Sequence, residues 1–198
     1  MSGASDRALD RCLAGGGVAL FPADTVYGLC CDPLDAHAVE RLFELKGRPR
    51  AKPAALAFFA LEPALAALPW LGARTRRAFE ALLPGPLTLL VPNPERRFPL
   101  AGGELLGIRV IDVGIELARP ILQSSANLAG GPDARTLAAV PASIRAGVDL
   151  ALDGGELPGT PSSVVDLSRF ESCGSWRLLR EGACSAVAIE RALVGSVR

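Results

Sequence analysis

A short basic stretch after a predicted helix holds the most unusual charges in the sequence. Residues 44–53 read ELKGRPRAKP, and of the 21 lysine and arginine residues in the chain only Lys46 and Lys52 are lysines. Lysine presents a compact, strongly hydrated charge, whereas arginine presents a planar fork. Two lysines in an arginine-biased chain therefore indicate a site that selects ammonium groups, such as one that holds phosphate oxygens. A solvated basic loop, favoured by the dipole at a helix C-terminus, explains the same residues equally well.

A second stretch, FPADTVYGL at residues 21–29, places polar side chains where a short apolar strand is predicted to end. Asp24, Thr25 and Tyr27 follow this strand, and Gly28 permits a turn. Because α/β sheets commonly bind ligands beyond the carboxyl ends of their strands, this position favours a binding role. A simple turn held by the Asp24 side chain is the structural alternative.

A third stretch, QSSANLAGGP at residues 123–132, follows an apolar strand with small hydroxyls, amides and two glycines. Such groups form a polar cradle that a phosphate can approach closely. A bare loop with Asn127 in a capping or left-handed position is the alternative. The stretches GTPSSVVDL at residues 159–167 and WRLLREG at residues 176–182 add hydroxyls at the start of one strand and Arg180 at the end of another.

Several common kinds of site are absent from the sequence. Neither the G-x-x-x-x-G-K-[ST] loop nor the G-x-G-x-x-G loop occurs, so the standard nucleotide-binding loops are missing. The only histidine, His37, falls in a predicted helix without a nucleophile motif nearby, which predicts an exposed helix residue and argues against Ser-His-Asp chemistry. The five cysteines are odd in number and lack a C-x-x-C pair, which argues against a zinc site and a disulfide scaffold.

The composition is that of one globular domain. The chain has 198 residues, 49% hydrophobic content and a formal net charge of zero, so any phosphate or RNA contact must come from a local cluster of charges. The polar start, MSGASDRALD, has no apolar signal-peptide region, and no apolar run reaches membrane-spanning length. We therefore expect a cytoplasmic protein with reduced cysteines.

The elements that must position these residues alternate between helix and strand for most of the chain. Apolar spacing and the proline and glycine breaks define them. Helices are predicted at residues 6–14, 35–45, 62–68, 73–83, 137–145 (interrupted at Pro141) and 186–193. Strands are predicted at residues 18–21, 54–60, 87–91, 107–111, 121–125, 150–152, 163–167 and 176–179. This order predicts a single α/β domain, at residues 5–195, with a mixed sheet.

Seven stretches, taken in chain order, together resemble the single-domain form of the YrdC-like threonylcarbamoyl-AMP synthase family. FPADTVYGL resembles P-T-[DE]-T-V-Y-G-L, LKGRPRAKP resembles K-x-R-P-x-x-[KN]-P, and LLPGPLTLLV resembles P-G-P-x-T. GIRV resembles the arginine strand, SSANLAGG resembles S-A-N-x-S-G, TPSSVVDL resembles [ES]-[ST]-[ST]-V-V-D, and LLREGA resembles R-x-G-x. Each match alone is weak, but seven in order are specific.

The resemblance implies a fold and an activity. The implied fold is a twisted mixed β-sheet flanked by helices, with a concave basic cleft. The implied enzyme is a nucleotidyltransferase that forms threonylcarbamoyl-AMP and pyrophosphate from L-threonine, bicarbonate or CO2, and ATP, with Mg2+ accompanying the ATP. Partner proteins would then transfer the threonylcarbamoyl group to tRNA. Binding of tRNA or double-stranded RNA to the cleft is a further expectation.

The resemblance also implies roles for ten residues. Those that would carry catalysis and hold the triphosphate are Lys46, Arg48, Ser125 and Asn127. Those that would add nucleotide contacts are Lys52 and Arg180. Those that would hold threonine are Thr25, Arg109, Gln123 and Ser162, with Arg109 pairing with the substrate carboxylate. The first four would hold the triphosphate together with its Mg2+, and no residue is assigned as a separate metal ligand.

The chain departs from the family pattern at several positions. Ala57 stands where a histidine is frequent, and Ile111 replaces a proline. Ala23 and Ala129 each replace a residue with a hydroxyl group, and Asp133 introduces a negative charge where a small hydroxyl would face the phosphates. These changes leave two alternatives open: a paralogue that uses another amine, and a non-catalytic module that binds RNA or the ribosome.

Overall fold

The structure, a computed structural model, describes residues 3–49 and 54–196. The strands of these residues are β1 Ala19–Pro22, β2 Tyr27–Cys31, β3 Ala55–Phe58, β4 Leu87–Pro92, β5 Leu105–Val110, β6 Ile121–Ser125, β7 Leu150–Ala151, β8 Ser163–Asp166 and β9 Arg177–Arg180. The helices are α1 Gly3–Ala14, α2 Ala36–Leu45, α3 Leu61–Ala67, α4 Ala73–Leu82, α5 Ala142–Gly147, α6 Phe170–Cys173 and α7 Ala186–Ser196. Short 3-10 turns lie at Pro94–Arg96 and Leu137–Ala139.

All the strands join one sheet in the order β7-β1-β2-β6-β3-β5-β4-β8-β9. The pairs β1–β7, β3–β5 and β4–β8 are parallel, and the remaining pairs are antiparallel. The mixed sheet flanked by helices confirms the predicted fold class. No helix in the described residues combines the length and the apolar character needed to cross a bilayer.

Helices cover one face of the sheet more completely than the other. On the first face, Leu56 and Ile108 from the central strands share a large apolar core with Leu42 of α2 and Phe79 of α4. On the second face, α1 contributes to a smaller cluster that includes Phe21, Cys30 and Ile121. Side chains alternate between the two faces of a strand. On β3, β5 and β6, the side chains that share the second face with this smaller cluster but lie outside it are therefore not covered by α1.

The local sequence explains where the elements near the site begin. Asp35 caps α2, because its Oδ1 accepts hydrogen bonds from the backbone N–H groups of His37 and Ala38 at 2.9 and 3.1 Å. The predicted helix at residues 137–145 is divided into a 3-10 turn and α5, as the break at Pro141 requires. His37 is exposed, as predicted.

Two elements were not predicted from the sequence. Residues 27–31, which we interpreted as a turn at Gly28, form β2, an antiparallel partner of β1. Gly28 is needed for close approach rather than for turning, since a Cβ atom there would lie 2.7 Å from the Gln123 Nε2 atom of β6. The other element is the one-turn helix α6.

Candidate functional site

A cleft of about 480 Å3 lies on the open part of the second sheet face. The predicted site residues that line it are Thr25, Arg48, Arg109, Gln123, Ser125, Ser162 and Arg180. Lys46 and Asn127 lie directly beside Ser125, to which both are hydrogen-bonded. The structure therefore brings these predicted residues together from distant parts of the chain. Lys52 lies outside the described residues.

Lys46 joins the loop after α2 to the turn after β6. It is the C-cap of α2, and Gly47 follows with a φ of 55°, a conformation that favours glycine. The Lys46 side chain is buried, and its Nζ donates to the backbone oxygen of Ser125 and, at 2.9 Å each, to the backbone oxygen and the Oδ1 of Asn127. An ammonium group has three donors, so all three are used within the protein.

This arrangement differs from the direct contact with phosphate that the two lysines suggested. In the structure Lys46 contributes a charge below the cleft and holds the turn in place. A phosphate contact would require one of its three hydrogen bonds to be exchanged. Burial, together with the charge of Arg48, lowers the pKa of Lys46 from 10.5 to about 8, and the charge of Asp133 opposes this shift.

The turn after β6 is held by its own side chains as well. The Ser125 hydroxyl donates to Asn127 Oδ1 at 2.7 Å, and Asn127 Nδ2 donates to the Gly131 backbone oxygen at 2.6 Å. The Ala129 backbone N–H donates to the Lys46 backbone oxygen at 2.9 Å. The loop and the turn therefore form one cross-linked unit, which we call the loop end of the cleft (Lys46, Arg48, Ser125 and Asn127).

Three guanidinium groups, those of Arg48, Arg180 and Arg109, line the cleft. Arg48 donates to the Ser124 hydroxyl at 3.1 Å, and Arg180 donates from Nε and Nη2 to the Ser162 backbone oxygen at 3.1 and 2.7 Å. Burial lowers the pKa of Arg48 and of Arg109, and the charge of Arg180 contributes to both shifts. Cations that repel one another in a cleft are stabilised by a bound anion.

A second group of polar residues, Thr25, Arg109 and Gln123, forms what we call the strand end of the cleft. Arg109 is only 5% exposed; its Nη1 donates to Gln123 Oε1 at 3.2 Å and its Nη2 pairs with Asp24. Within the described residues, two buried polar atoms of this group lack a hydrogen-bond partner, namely Arg109 Nε and Thr25 Oγ1. A ligand with a suitable acceptor and donor would satisfy both.

Some residues of the cleft were not assigned roles from the sequence. Asp24 already pairs with Arg109, the residue expected to bind a substrate carboxylate. Thr88 lines the cleft with its Oγ1 3.0 Å from the Ser162 Oγ, and Ser124 binds Arg48. Both Asp24 and Thr88 lie in stretches that resemble the family pattern, but only the fold shows that Thr88 lines the cleft and that Asp24 pairs with Arg109 beside it.

The departures from the family pattern fall in two places. Ala57 on β3 and Ile111 just after β5 are buried in the apolar cluster under α1, and neither lines the cleft. Asp133, by contrast, lines the cleft and acts electrostatically on Lys46. Among the described residues, no group of three or more acidic, histidine or cysteine side chains is placed to hold a metal ion alone.

Comparison with known proteins gives one matching family model and two informative relatives. The family model of Sua5, YciO and YrdC, described as "Telomere recombination", matches residues 11–182. The threonylcarbamoyl-AMP synthase of Pyrococcus abyssi is 31% identical over 192 residues, which cover 92% of this chain and 55% of that protein. The protein of the same name from Chromohalobacter salexigens is 38% identical over 187 residues, which cover 87% of this chain and 98% of that protein.

The structural comparison agrees with the sequence comparison. The crystal structure of P. abyssi Sua5 complexed with L-threonine has a TM-score of 0.85 and 29% identity, over 97% of this chain and 58% of that chain. The chain thus spans little more than half of the Pyrococcus proteins and almost all of the Chromohalobacter protein.

Proposed function

This chain belongs to the Sua5/YciO/YrdC family, and from that premise we propose that it is a threonylcarbamoyl-AMP synthase. The proposed reaction joins L-threonine, bicarbonate or CO2, and ATP, and releases pyrophosphate, which makes the protein a nucleotidyltransferase. The observation that carries the proposal is the cleft itself. It combines two guanidinium groups and a buried ammonium at one end with a third guanidinium and a hydroxyl, each carrying an unsatisfied buried polar atom, at the other.

The strand end has the chemistry to hold an amino acid. Arg109 Nε is a charged donor without an acceptor, and Thr25 Oγ1 is a hydroxyl without a partner. A carboxylate at Arg109 would accept a charge-assisted hydrogen bond, while Asp24 and Gln123 fix the plane of the guanidinium. Ser162, whose hydroxyl contacts Thr88 and Arg180, would present a further polar group to the substrate.

The loop end has the chemistry to hold a triphosphate. Arg48 and Arg180 would contact phosphate oxygens, Ser125 would add a hydroxyl, and Lys46 would supply a charge from below. Lys52 would add a phosphate contact. Mg2+ entering with ATP would neutralise part of the phosphate charge. Its preference for oxygen ligands fits the carboxylate and hydroxyl oxygens that line this cleft.

The reaction needs positioning and charge neutralisation rather than a protein nucleophile. The neutral amine of threonine adds to CO2 and loses a proton, or reacts with bicarbonate and releases water, to give a carbamate. A carbamate oxygen then attacks the α-phosphorus, and the bond from that phosphorus to pyrophosphate breaks. Holding both substrates in one cleft lowers the entropic part of the barrier, and the cationic side chains stabilise charge on the departing pyrophosphate. The exposed position of His37 fits such a mechanism, because no histidine base is required.

A pyrophosphate-release assay tests the proposal. The protein is incubated with ATP, Mg2+, bicarbonate and L-threonine, and parallel reactions omit one component at a time. We expect pyrophosphate only when threonine and bicarbonate are both present, together with a product of the mass of threonylcarbamoyl-AMP. Release that does not depend on threonine would contradict the proposed substrate.

The proposal extends to the cellular role. The product is a reactive mixed anhydride, so partner proteins that transfer its threonylcarbamoyl group to tRNA are part of the proposed function, as is a cytoplasmic location. Binding of tRNA or double-stranded RNA remains a prediction. A salt-dependent RNA affinity without threonine binding would support the non-catalytic alternative instead.

A second candidate is the same reaction with another amine. It is favoured by Ala57 and Ile111, which place apolar side chains on β3 and just beyond β5, next to Arg109. A panel of amino acids in the pyrophosphate assay separates the candidates. Threonine is expected to give the highest kcat/KM, and a different preferred amine would establish the paralogue.

A further inference from the structure

Asp133 is the one carboxylate among the residues that line the described part of the cleft. It lies six positions after Asn127, in the segment that leaves the loop end, and it is half-buried. No hydrogen bond or ion pair holds its carboxylate within the described residues. A carboxylate placed in a ligand cleft without a protein partner is available to a ligand.

The neighbouring ammonium does not neutralise this carboxylate directly. The charge of Asp133 raises the pKa of Lys46, but the three N–H donors of Lys46 form hydrogen bonds with Ser125 and Asn127 and not with Asp133. Asp133 therefore faces the space next to the loop end with its negative charge uncompensated by a direct contact. A triphosphate bound there would be repelled by this carboxylate, because like charges at short range are unfavourable.

A divalent cation between the two anions reverses the sign of that interaction. Mg2+ is usually bound through one or two protein carboxylates together with substrate phosphates, and it keeps several waters. It does not need the clusters of three or more protein ligands that the described residues lack. The cleft offers one carboxylate in the position where the phosphates would lie, which is the donor set that this mode of binding requires.

We propose that Asp133 is a protein ligand, directly or through a bound water, of the Mg2+ that enters the cleft with ATP. The inference rests on the proposed function and deepens it, since it makes this chain accept the magnesium complex of ATP and disfavour free ATP. Because this residue departs from the family pattern, the resulting selectivity is a property of this chain's own sequence.

Calorimetric titration with a non-hydrolysable ATP analogue tests the inference without relying on turnover. The analogue is titrated into the wild type, Asp133→Asn and Asp112→Asn, once in the presence of Mg2+ and once in the presence of EDTA. Asp112 is an exposed acidic residue outside the cleft, so its variant is the matched control. We expect the gain in affinity caused by Mg2+ to be roughly tenfold smaller in Asp133→Asn than in the wild type and the control. In EDTA, Asp133→Asn is expected to bind the analogue more tightly than the wild type.

Manganese gives a second readout, because its electron paramagnetic resonance spectrum reports the bound ion. In the presence of the analogue, Asp133→Asn is expected to leave more Mn2+ free than the wild type does, with an unchanged melting temperature as evidence of folding. An equal Mg2+ effect in the wild type and Asp133→Asn would overturn the role of Asp133 and leave the proposed function intact. Failure of the wild type to bind the analogue under any condition would overturn both.

Discussion

The polar groups of the strand end are satisfied in a different way from those of the turn that Lys46, Ser125 and Asn127 form at the loop end. At the loop end, the donors of Lys46 and the side-chain groups of Ser125 and Asn127 bond to one another or to nearby backbone. At the strand end, Arg109 Nε and Thr25 Oγ1 have no partner among the described residues. The loop end depends on its internal bonds for its shape. The strand end is supported by the sheet, so its shape does not depend on hydrogen bonds among these polar groups, and they are available to a ligand.

Because of this difference, we expect substitutions at the two ends to change different properties of the protein. A change at the loop end should lower the free energy of unfolding as well as the activity. A change at the strand end should lower substrate affinity while the fold persists. Substitutions of single residues at each end separate these outcomes.

Lys46→Met is expected to have the largest effect. It removes the group that donates to three oxygens of Ser125 and Asn127, and it leaves Asn127 Oδ1 with only the Ser125 hydroxyl as a donor. We expect the free energy of unfolding to fall by about 3 kcal/mol, and pyrophosphate release to be lost. Urea unfolding and the pyrophosphate assay measure the two effects.

Lys46→Arg is the companion variant, because it keeps the charge but replaces a compact ammonium with a planar fork. It should also be destabilised, since a fork does not direct its donors at three converging oxygens. If Lys46→Met were as stable as the wild type, the loop end would not depend on this residue, and the contrast between the two ends would disappear.

Arg109→Lys should act mainly on the amino-acid substrate. The shorter ammonium can still pair with Asp24, but it lacks the Nε donor that has no partner in the structure. We expect KM for threonine to rise by roughly tenfold or more, the value of one lost charge-assisted hydrogen bond, with little change in ATP affinity. Steady-state kinetics with each substrate varied in turn provide the measurement. Arg119→Lys, at an ion pair with Asp10 and Asp32 away from the cleft, should leave both constants unchanged.

The loop end should also respond to pH. Burial, together with the charge of Arg48, lowers the pKa of Lys46 from 10.5 to about 8, and the charge of Asp133 opposes this shift. Between about pH 8 and 10.5 the unfolded chain therefore binds more protons at this group than the folded chain, and its contribution to stability rises with pH. Nucleotide affinity should change in the opposite direction, because the cleft loses a positive charge as Lys46 deprotonates.

Titration of the ATP analogue at pH 7 and pH 9 tests this expectation. We expect the affinity of the wild type to be up to roughly tenfold weaker at pH 9, since about one tenth of the Lys46 side chains would then be charged. A variant without the ammonium, such as Lys46→Met, should not show this decrease in affinity between pH 7 and pH 9. An affinity that is equal at the two pH values would show that the charge of Lys46 does not reach the nucleotide.

The sequence predicted the fold well because most elements obey local rules. Strand β6 was predicted with its observed bounds, and α2 was predicted from its apolar spacing with Asp35 at its start. Strand β2 was missed because its glycine reads as a turn signal. Gly28 is there for a tertiary reason, the approach of Gln123 from β6, which no local pattern contains.

The candidate site shows the same division. The loop after α2 and the turn after β6 were chosen from residue types, and the structure places Lys46 against Asn127. The pairing of Asp24 with Arg109, and the use of all three Lys46 donors within the protein, depend on how distant strands and loops meet. Residue types indicate which chemistry is present, whereas the tertiary arrangement decides which donors remain available for a ligand.

Thr25→Val is expected to give the smallest effect and the clearest separation of binding from folding. Valine has nearly the shape of threonine, and the Oγ1 that it removes has no hydrogen-bond partner in the described structure. No protein hydrogen bond is lost, so the free energy of unfolding should stay the same or rise slightly, because a buried unsatisfied hydroxyl is removed. Threonine affinity should fall by roughly fivefold, the value of one neutral hydrogen bond to the substrate.

Thr75→Val is the matched control, since Thr75 is equally buried but its Oγ1 donates to Glu171 at 2.9 Å, far from the cleft. That variant should lose about 1 kcal/mol of stability and keep its threonine affinity. If Thr25→Val loses only threonine affinity and Thr75→Val loses only stability, the hydroxyl without a partner contributes to ligand binding. The hydroxyl that is bonded to Glu171 then contributes to the stability of the fold. A loss of stability in Thr25→Val, with threonine affinity unchanged, would assign Thr25 to the fold and remove the strand end from the proposed amino-acid site.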